Sequence, residues 1–315
     1  MGEAEQVATE TYRSELFAHC YRMMGSVHDA EDLVQETLLR AWRAADGYDP
    51  ARASVRTWLY RIATNACLTA LEGRARRPLP AGLVGPNDNP QAPMVPGREV
   101  PWLQPFPDQP PGDPAAAVVA KAGLRLAFVA ALQLLPPRQR AILVLREVLQ
   151  WPASDVAVTL DTSVAAVNSG LQRARARLSA AAPRQDDLTE PDEPASRDLL
   201  DRYVRAFENA DVDGLARLLT DDVVLQMPPV LNWYVGRDRY AAFIRRIFTL
   251  RGTQWRALAT SANGQPALAA YAPDVDGTYQ AHTLQVFTTT SGGISSNVVF
   301  AEPELFPAFG LPPAL

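Results

Sequence analysis

The stretch Thr162 to Leu178, TSVAAVNSGLQRARARL, decides how the chain is read. It opens on two hydroxyl residues suited to an N-cap and sets Val164, Val167 and Leu171 along one side. It closes on Arg173, Arg175 and Arg177, where cations suit the negative end of the helix dipole. The pattern predicts a helix with one buried face and one basic face. Just upstream, Trp151–Leu160 (WPASDVAVTL) predicts a short helix with Pro152 near its first position and Val156, Ala157 and Leu160 inward. Only Asp161 to Ser163 separates the two, a spacing that makes a helix-turn-helix. Such a pair suits a DNA groove, but it also occurs in bundles that bind no DNA, because fold does not fix function.

Charge supports a polyanion partner for this segment. Residues 116–185 carry 9 basic against 3 acidic residues, whereas 1–78 carry 10 against 11, 79–115 carry one against 4, and 186–315 carry 10 against 17. The helix-turn-helix thus lies in the one basic segment, and the acidic C-terminal segment is expected to stay off DNA. At 315 residues, with 47% hydrophobic and 21% charged residues, the chain is long enough for two or three globular domains. No apolar run approaches the roughly 20 residues of a membrane span. The start MGEAEQVATE lacks the basic and apolar parts of a signal peptide, so a cytoplasmic protein is expected. Cys20 and Cys67 fall in helical apolar patterns without metal-ligand spacing; buried free thiols are expected, with no metal or cofactor.

Residues 10–78 predict three helices. Glu10–Met24 sets Leu16, Cys20, Met23 and Met24 inward and stops at Gly25. HDAEDLVQETLLRAWRAADGY follows, with Asp29 as N-cap and an inward stripe of Ala30, Leu33, Val34, Leu38, Ala41 and Trp42. Its other face carries Asp32, Gln35, Glu36 and Arg40, which composition alone reads as solvated. The third helix, Ser54–Leu71, turns Val55, Trp58, Leu59, Ile62, Ala66 and Leu68 inward and Arg56, Tyr60, Arg61, Thr64 and Asn65 outward, before Arg74, Arg76 and Arg77. Exposed aromatic and amide groups beside guanidiniums suit single-stranded nucleic acid.

DAEDLVQETLLRAWR, then TWLYRIATNACL, then LPPRQRAILVLREVLQWPASDVAVTLDTSVAAVNSGLQRARARL together resemble a bacterial sigma-70 family factor of the extracytoplasmic-function (ECF) type. The resemblance implies an all-α sigma region 2 at 10–78 and a region 4 helix-turn-helix module at 115–182. It implies two partners, core RNA polymerase (beta-prime clamp helices and beta flap) and promoter DNA. Asp32, Gln35 and Glu36 match the family's surface for the clamp helices. Arg56, Trp58, Arg61, Thr64, Asn65, Arg74, Arg76 and Arg77, with the loop Asp46–Ser54, match the part that holds the non-template strand of the −10 element, although the pattern of Trp58 itself favours a core position. Ser163, Ala165, Ala166, Asn168, Ser169, Gln172, Arg173 and Arg175 match the −35 reader. There, short side chains allow depth in the groove, Asn and Gln suit adenine, and the arginines suit phosphate. Gly170 departs from the helix rule, at about 1 kcal/mol unless close packing needs it.

Between the modules, residues 79–114 are expected as a linker, since 12 prolines fall between Pro78 and Pro114 without helical periodicity. It is expected to be extended or disordered in isolation, and the resemblance implies that it threads the polymerase cleft. VPWLQPFPD, Val100 to Asp108, stands out in it as an apolar and acidic island.

After a polar linker at 183–195, residues 196–315 predict an α+β domain. Ser196–Asn209 forms an amphipathic helix with Leu199, Leu200, Tyr203, Val204 and Phe207 inward, and Val212–Leu219 a short second one. Strands are expected at Val223–Met227, Trp255–Ala262, Gln280–Thr289 and Ile294–Phe300, with a further one at Ala267–Tyr271 and a helix at Arg237–Phe248. FENADVDGLARLLTDDVVLQMPP and GRDRYAAFI resemble the SnoaL-like members of the NTF2-like superfamily, which implies a cone whose pocket takes a small apolar ligand. Some members are enzymes with a carboxylate or histidine base, for which Asp221, Asp222 and His282 are candidates. A lone histidine without an acid partner argues for regulation over catalysis. The whole chain thus reads as a multi-domain alternative sigma factor with a fused control domain. Its rival is a one-component helix-turn-helix regulator with a ligand-sensing pocket, which would have no use for residues 10–78.

Overall fold

The computed structural model describes residues 12–51, 53–108, 124–181 and 193–315. The chain divides into two compact units, Met1–Arg77 with Asp108–Pro183 and Pro78–Pro107 with Arg184–Leu315.

The first unit is helical. Helices α1 (Arg13–Met24), α2 (Val27–Arg43) and α3 (Val55–Ala70) pack on one another. Gly25 ends α1 in the left-handed region (φ 69°), its N–H reaching Tyr21 O. Ser26, not Asp29, caps α2: its Oγ accepts from Asp29 N at 3.2 Å. Ser54 caps α3 in the same way through Thr57 N. The inner stripe of α2 is Ala30, Val34, Thr37 and Ala41. Trp42, expected inward, is 61% exposed and Leu39 40%, because a step of one residue beyond Ala41 turns about 100° around the helix axis. Cys20 and Cys67 are buried free thiols, and each other's proximity helps push the Cys20 thiol up.

A second helical module follows with α4 (Leu126–Leu132), α5 (Pro137–Leu143, continued by a π turn over Val144–Val148), α6 (Ala153–Thr159) and α7 (Val164–Ala181). Most of the first half of the long helix expected over Ala115–Leu135 lies outside the described residues. Pro152 stands at the cap of α6 rather than inside it. Ser163 Oγ accepts from Ala166 N at 3.1 Å and so caps α7. Val167, Leu171 and Ala174 form the buried side of α7, whereas Val164, expected inward, is exposed. A Cβ on Gly170 would stand 2.6 Å from Ile142 Cδ1, so the glycine lets α7 lie close on α5.

The two helical modules share a seam. The last carbonyls of α1 have no intrahelical donor, and α4–α5 supply donors: Gln133 Nε2 reaches Arg22 O at 3.5 Å and Arg140 Nη1 donates to Met23 O. Arg140 is 2% exposed and donates also to Gln133 Oε1 (2.7 Å), Gln133 O (3.3 Å) and Leu135 O (3.2 Å). Burial among these neutral acceptors lowers its pKa to about 10. Beside it, Tyr60 of α3 meets Trp151 edge-on with centroids 5.5 Å apart.

The second unit is α+β. Helices α8 (Glu193–Glu208), α9 (Val212–Ala216) and α10 (Arg237–Arg251) pack with a six-stranded sheet of order β2-β1-β6-β5-β4-β3. The strands are β1 (Leu219–Gln226), β2 (Trp233–Val235), β3 (Arg256–Ala262), β4 (Gln265–Pro273), β5 (Tyr279–Thr290) and β6 (Gly293–Phe300). β1 runs parallel to β6 and the other pairs are antiparallel. The short β2 was not expected, since three residues are too few to show a period. Aromatic side chains pack in the interior read as a ligand pocket: Tyr203 stacks near Phe207 and tilts on Phe287 at 4.7 Å. Tyr203 and Tyr240 hydroxyls meet at 2.7 Å, and Asn297 Nδ2 donates to Tyr240 Oη (2.7 Å) and Gln285 Oε1 (3.0 Å). Burial holds both phenols protonated, Tyr240 at about 12.

Two stability effects follow from these buried groups. His19 is fully buried, its Nε2 2.9 Å from Thr64 Oγ1, and burial, aided by Arg22, lowers its pKa from 6.5 to about 3. The unfolded chain therefore binds a proton that the folded one refuses, so stability is full above about pH 6.5 and falls as pH drops towards 3. At pH 5 the loss amounts to about 2 kcal/mol, and a His19→Gln variant should show a flatter dependence of urea midpoint on pH over this window. In the second unit, Tyr240→Phe leaves Tyr203 and Asn297 short of a partner and should lower stability by about 1–2 kcal/mol in denaturant titration.

Candidate nucleic-acid interface

On α2, Asp32 and Gln35 are exposed and Glu36 is half-buried, its carboxylate taking Arg40 Nε at 2.7 Å. The exposed Leu39 and Trp42 continue the same side of the helix. This surface therefore combines carboxylates, an amide and large apolar groups, the mixture that protein interfaces use. The solvated-face reading from composition does not account for Trp42.

The α3 residues divide into two groups. Arg61 and Asn65 are exposed and Trp58 is half-buried, its ring 4.9 Å from that of Tyr48 in the preceding loop. Tyr60 and Thr64, expected outward, are fully buried, because His19 of α1 takes Thr64 and Trp151 covers Tyr60. Arg56 lies 2.7 Å from Glu15 and over the Tyr60 ring. Beyond α3, Arg74 and Arg77 both reach Asp29, at 3.2 and 2.7 Å, and Arg76 is exposed. Much of the cationic group read as phosphate-binding is thus occupied by carboxylates of its own module.

On α7, Ser163, Ala165, Asn168, Gln172, Arg173 and Arg175 are exposed and Ala166 and Ser169 half-buried. Ser169 Oγ turns back to Ala166 O at 3.2 Å, and Arg175 is paired with Glu147 through Nε at 3.0 Å. The amide-bearing Asn168 and Gln172, one turn apart, and Arg173 form the polar face, with small side chains ahead of them.

The segment expected as an extended linker is instead built into the second unit. Val95 N donates to Asn232 Oδ1 (2.7 Å) and Asn232 Nδ2 to Pro93 O (3.2 Å). Phe106 N donates to Asn263 Oδ1 (2.9 Å), and Asn263 N returns a bond to Phe106 O (2.8 Å). Backbone bonds from Gly97 N to Pro229 O and from Leu231 N to Val95 O, both 2.8 Å, make short strand-like bridges at Pro96 and Val230. Arg246 donates to Pro90 O (2.9 Å) and Ala92 O (2.6 Å), and Trp233 Nε1 to Val84 O (2.9 Å). Trp102, Leu103 and Phe106, the apolar part of the island, are buried. Sequence reading missed Asn232 and Asn263. The one available signal was Asn263-Gly264, whose φ of 59° and 68° mark a tight β3–β4 turn.

For the base chemistry considered from sequence, Asp221 is almost wholly exposed and paired with Arg237 at 3.0 Å. His282 packs edge-on against Trp255. Among the described residues no group of three or more His, Cys, Asp or Glu could hold a metal, and no helix is long and apolar enough to cross a membrane.

Comparison with known proteins accords with this layout. Residues 9–77 match the Sigma-70 region 2 family, 125–178 the Sigma-70 region 4 family and 200–297 the SnoaL-like domain family. The ECF RNA polymerase sigma factor SigG of Mycobacterium tuberculosis is 51% identical over 313 residues, covering 98% of this chain and 84% of its own length. The sigma factor SigJ of the same organism is 31% identical, covering 94% and 91%. The crystal structure of SigJ superposes with a TM-score of 0.65 at 26% identity, over 98% of this chain and the whole of that one. With region 2 and region 4 modules in order, a SnoaL-like unit behind them and identity at this level along nearly its whole length, the chain belongs to the ECF RNA polymerase sigma factor family.

Proposed function

We propose that this chain directs core RNA polymerase to promoters and that its C-terminal unit governs the step by holding the linker between regions 2 and 4. In this reading Asp32, Gln35 and Glu36 of α2 dock on the polymerase clamp, with Leu39 and Trp42 beside them. Trp58, Arg61 and Asn65 of α3 receive the −10 strand, with Arg56, Thr64, Arg74, Arg76 and Arg77 as the supporting set. The exposed face of α7, from Ser163 to Arg175, enters the −35 groove. Region 4 meets the polymerase flap.

The observation that carries the control reading is the clasp on Pro78–Pro107. A segment whose carbonyls are held by Asn232, Arg246 and Trp233 cannot at the same time lie extended in a polymerase channel. The seam in the first unit works in the same direction. Two promoter elements about two helical turns apart require regions 2 and 4 to part, which breaks the Arg140–Met23 bond and uncovers Tyr60 from Trp151. Polymerase and DNA therefore select an open state over a closed one, and their differential affinity sets the shift.

Catalysis by the C-terminal unit has less support. Its buried polar cluster consists of Tyr203, Tyr240, Gln285 and Asn297, and both phenols are held protonated, so the cluster offers no general base near neutral pH.

Run-off transcription with purified core polymerase tests the reading. The Asn232→Ala, Asn263→Gly double variant keeps the turn conformation at 263 and removes the two amide clasps. It should raise transcript yield several-fold at limiting polymerase, as loss of bonds worth about 1 kcal/mol each requires. Equal yield would remove the control role, and absence of transcript from both proteins would remove the promoter role. Separately, Asp32→Ala with Glu36→Ala should weaken retention on immobilised core polymerase by about tenfold, and undiminished retention would remove the docking assignment.

A further inference from the structure

The helices of the C-terminal unit carry a cationic group on their outer side. A surface cleft of about 250 Å³ opens there, lined by Arg202, Arg205, Asn209, Asp211, Arg217 and Leu218. Arg202 and Arg205 come from α8 and Arg217 follows α9. Three guanidiniums thus face one carboxylate, in a segment that carries ten basic against seventeen acidic residues.

The local pairing leaves this positive charge largely unspent. Asp211 is committed to its own turn, Oδ1 accepting from Gly214 N at 2.8 Å, and its other oxygen stands 3.8 Å from Arg217. Arg202 is 3.8 Å from Asp198, between two exposed side chains, a pairing of little energetic weight. Arg205 has no carboxylate within ion-pair distance among the described residues. Asn209 spends its amide N–H on Arg205 O at 2.7 Å. Arg202 and Arg205 also stand three apart on one helix, a like-charge spacing that destabilises an isolated helix. Gly214 lines the cleft too, and a Cβ there would fall 2.2 Å from Asp211 Oδ2. Glycine at 214 therefore lets Asp211 fold back on the turn.

We propose that this cleft is a binding site for a small phosphate-bearing anion. Guanidinium forks match phosphate oxygens two at a time, and three of them suit a multiply charged phosphate better than a single carboxylate. Half-buried Ala206 adds a small apolar patch beside the guanidiniums. The ligand bridges α8 to the residue that follows α9 and so stabilises the unit that holds the linker. The site is built wholly from residues of the second unit, and its occupancy is measurable without polymerase.

The test is isothermal titration of the full chain with pyrophosphate, at an ionic strength held constant with sodium chloride. Pyrophosphate should bind at one site per chain, and Arg205→Ala and Arg217→Ala should each weaken it at least tenfold. These side chains are exposed, so both variants should keep the unliganded melting temperature. Malonate serves as the dicarboxylate control and should bind at least tenfold more weakly. Arg173→Ala with Arg177→Ala, on the DNA-reading helix, should leave the affinity unchanged. Binding that survives both cleft substitutions, that disappears instead with the α7 pair, or that malonate equals would overturn the proposal.

Discussion

Proline removes the backbone N–H and keeps the carbonyl, and the C-terminal unit depends on how that imbalance is resolved. In Pro78–Pro107 the chain has an excess of acceptors that no strand ladder can serve. Donors come from side chains at the sheet edge and on α10: the Asn232 amide, the Trp233 indole and the Arg246 guanidinium. Among the N–H groups that the segment retains, those of Val95 and Phe106 find the Asn232 and Asn263 side chains, and that of Gly97 finds Pro229 O. Fixed proline φ angles lower the entropy lost on ordering, so a segment with little periodicity can be held by a modest number of bonds. Order here comes from the partner surface and not from the segment's own pattern.

The helical unit resolves a similar imbalance with charge. The C-terminal carbonyls of α1 are orphaned by helix geometry, and Arg140 and Gln133 serve them from the other module. Arg140 sits among carbonyl and amide oxygens, buried and without a carboxylate partner among the described residues, so its desolvation is offset by hydrogen bonds alone. An interaction of this kind tolerates closure but is replaceable: once the modules part, water solvates the guanidinium and the carbonyls alike. The ion pairs of Arg74 and Arg77 with the half-buried Asp29 differ in their cover, Arg74 being 52% exposed and Arg77 19%, so solvent screens the first more than the second.

The parts of the fold visible in the sequence were those with a period. Helix spacing located α1, α2, α3, α6 and α7, and alternation located β3 to β6 to within a few residues. The errors have local causes. Trp42 satisfies a loose helical stripe because it adjoins a true core position, Ala41, yet it is 61% exposed. Tyr60 and Thr64 read as outward because their cover, Trp151 and His19, comes from other helices, and polar residues satisfied by tertiary partners look like surface. The linker was unreadable for a deeper reason. Its binding residues lie more than a hundred positions away, and a side-chain amide that serves a distant backbone leaves no periodic trace. Gly170 shows the converse: it broke the helix rule, and the close approach of Ile142 accounts for it.

These features share a scale of energy. The clasp on the linker joins backbone bridges and the buried Trp102, Leu103 and Phe106 to a set of side chain to backbone bonds, each contributing about 1 kcal/mol net because water competes for both partners. Bonds of this size, taken a few at a time, set equilibria of a few kcal/mol, within reach of a partner's differential affinity. A sigma factor whose linker must be held in one state and released in another needs bonds that are individually weak, geometrically specific and equally well satisfied by water. Amide, indole and guanidinium donors facing the linker's carbonyls meet all three conditions, and for that reason the proposed control runs through Asn232, Trp233 and Arg246, with the Asn263 amide oxygen accepting from Phe106 N.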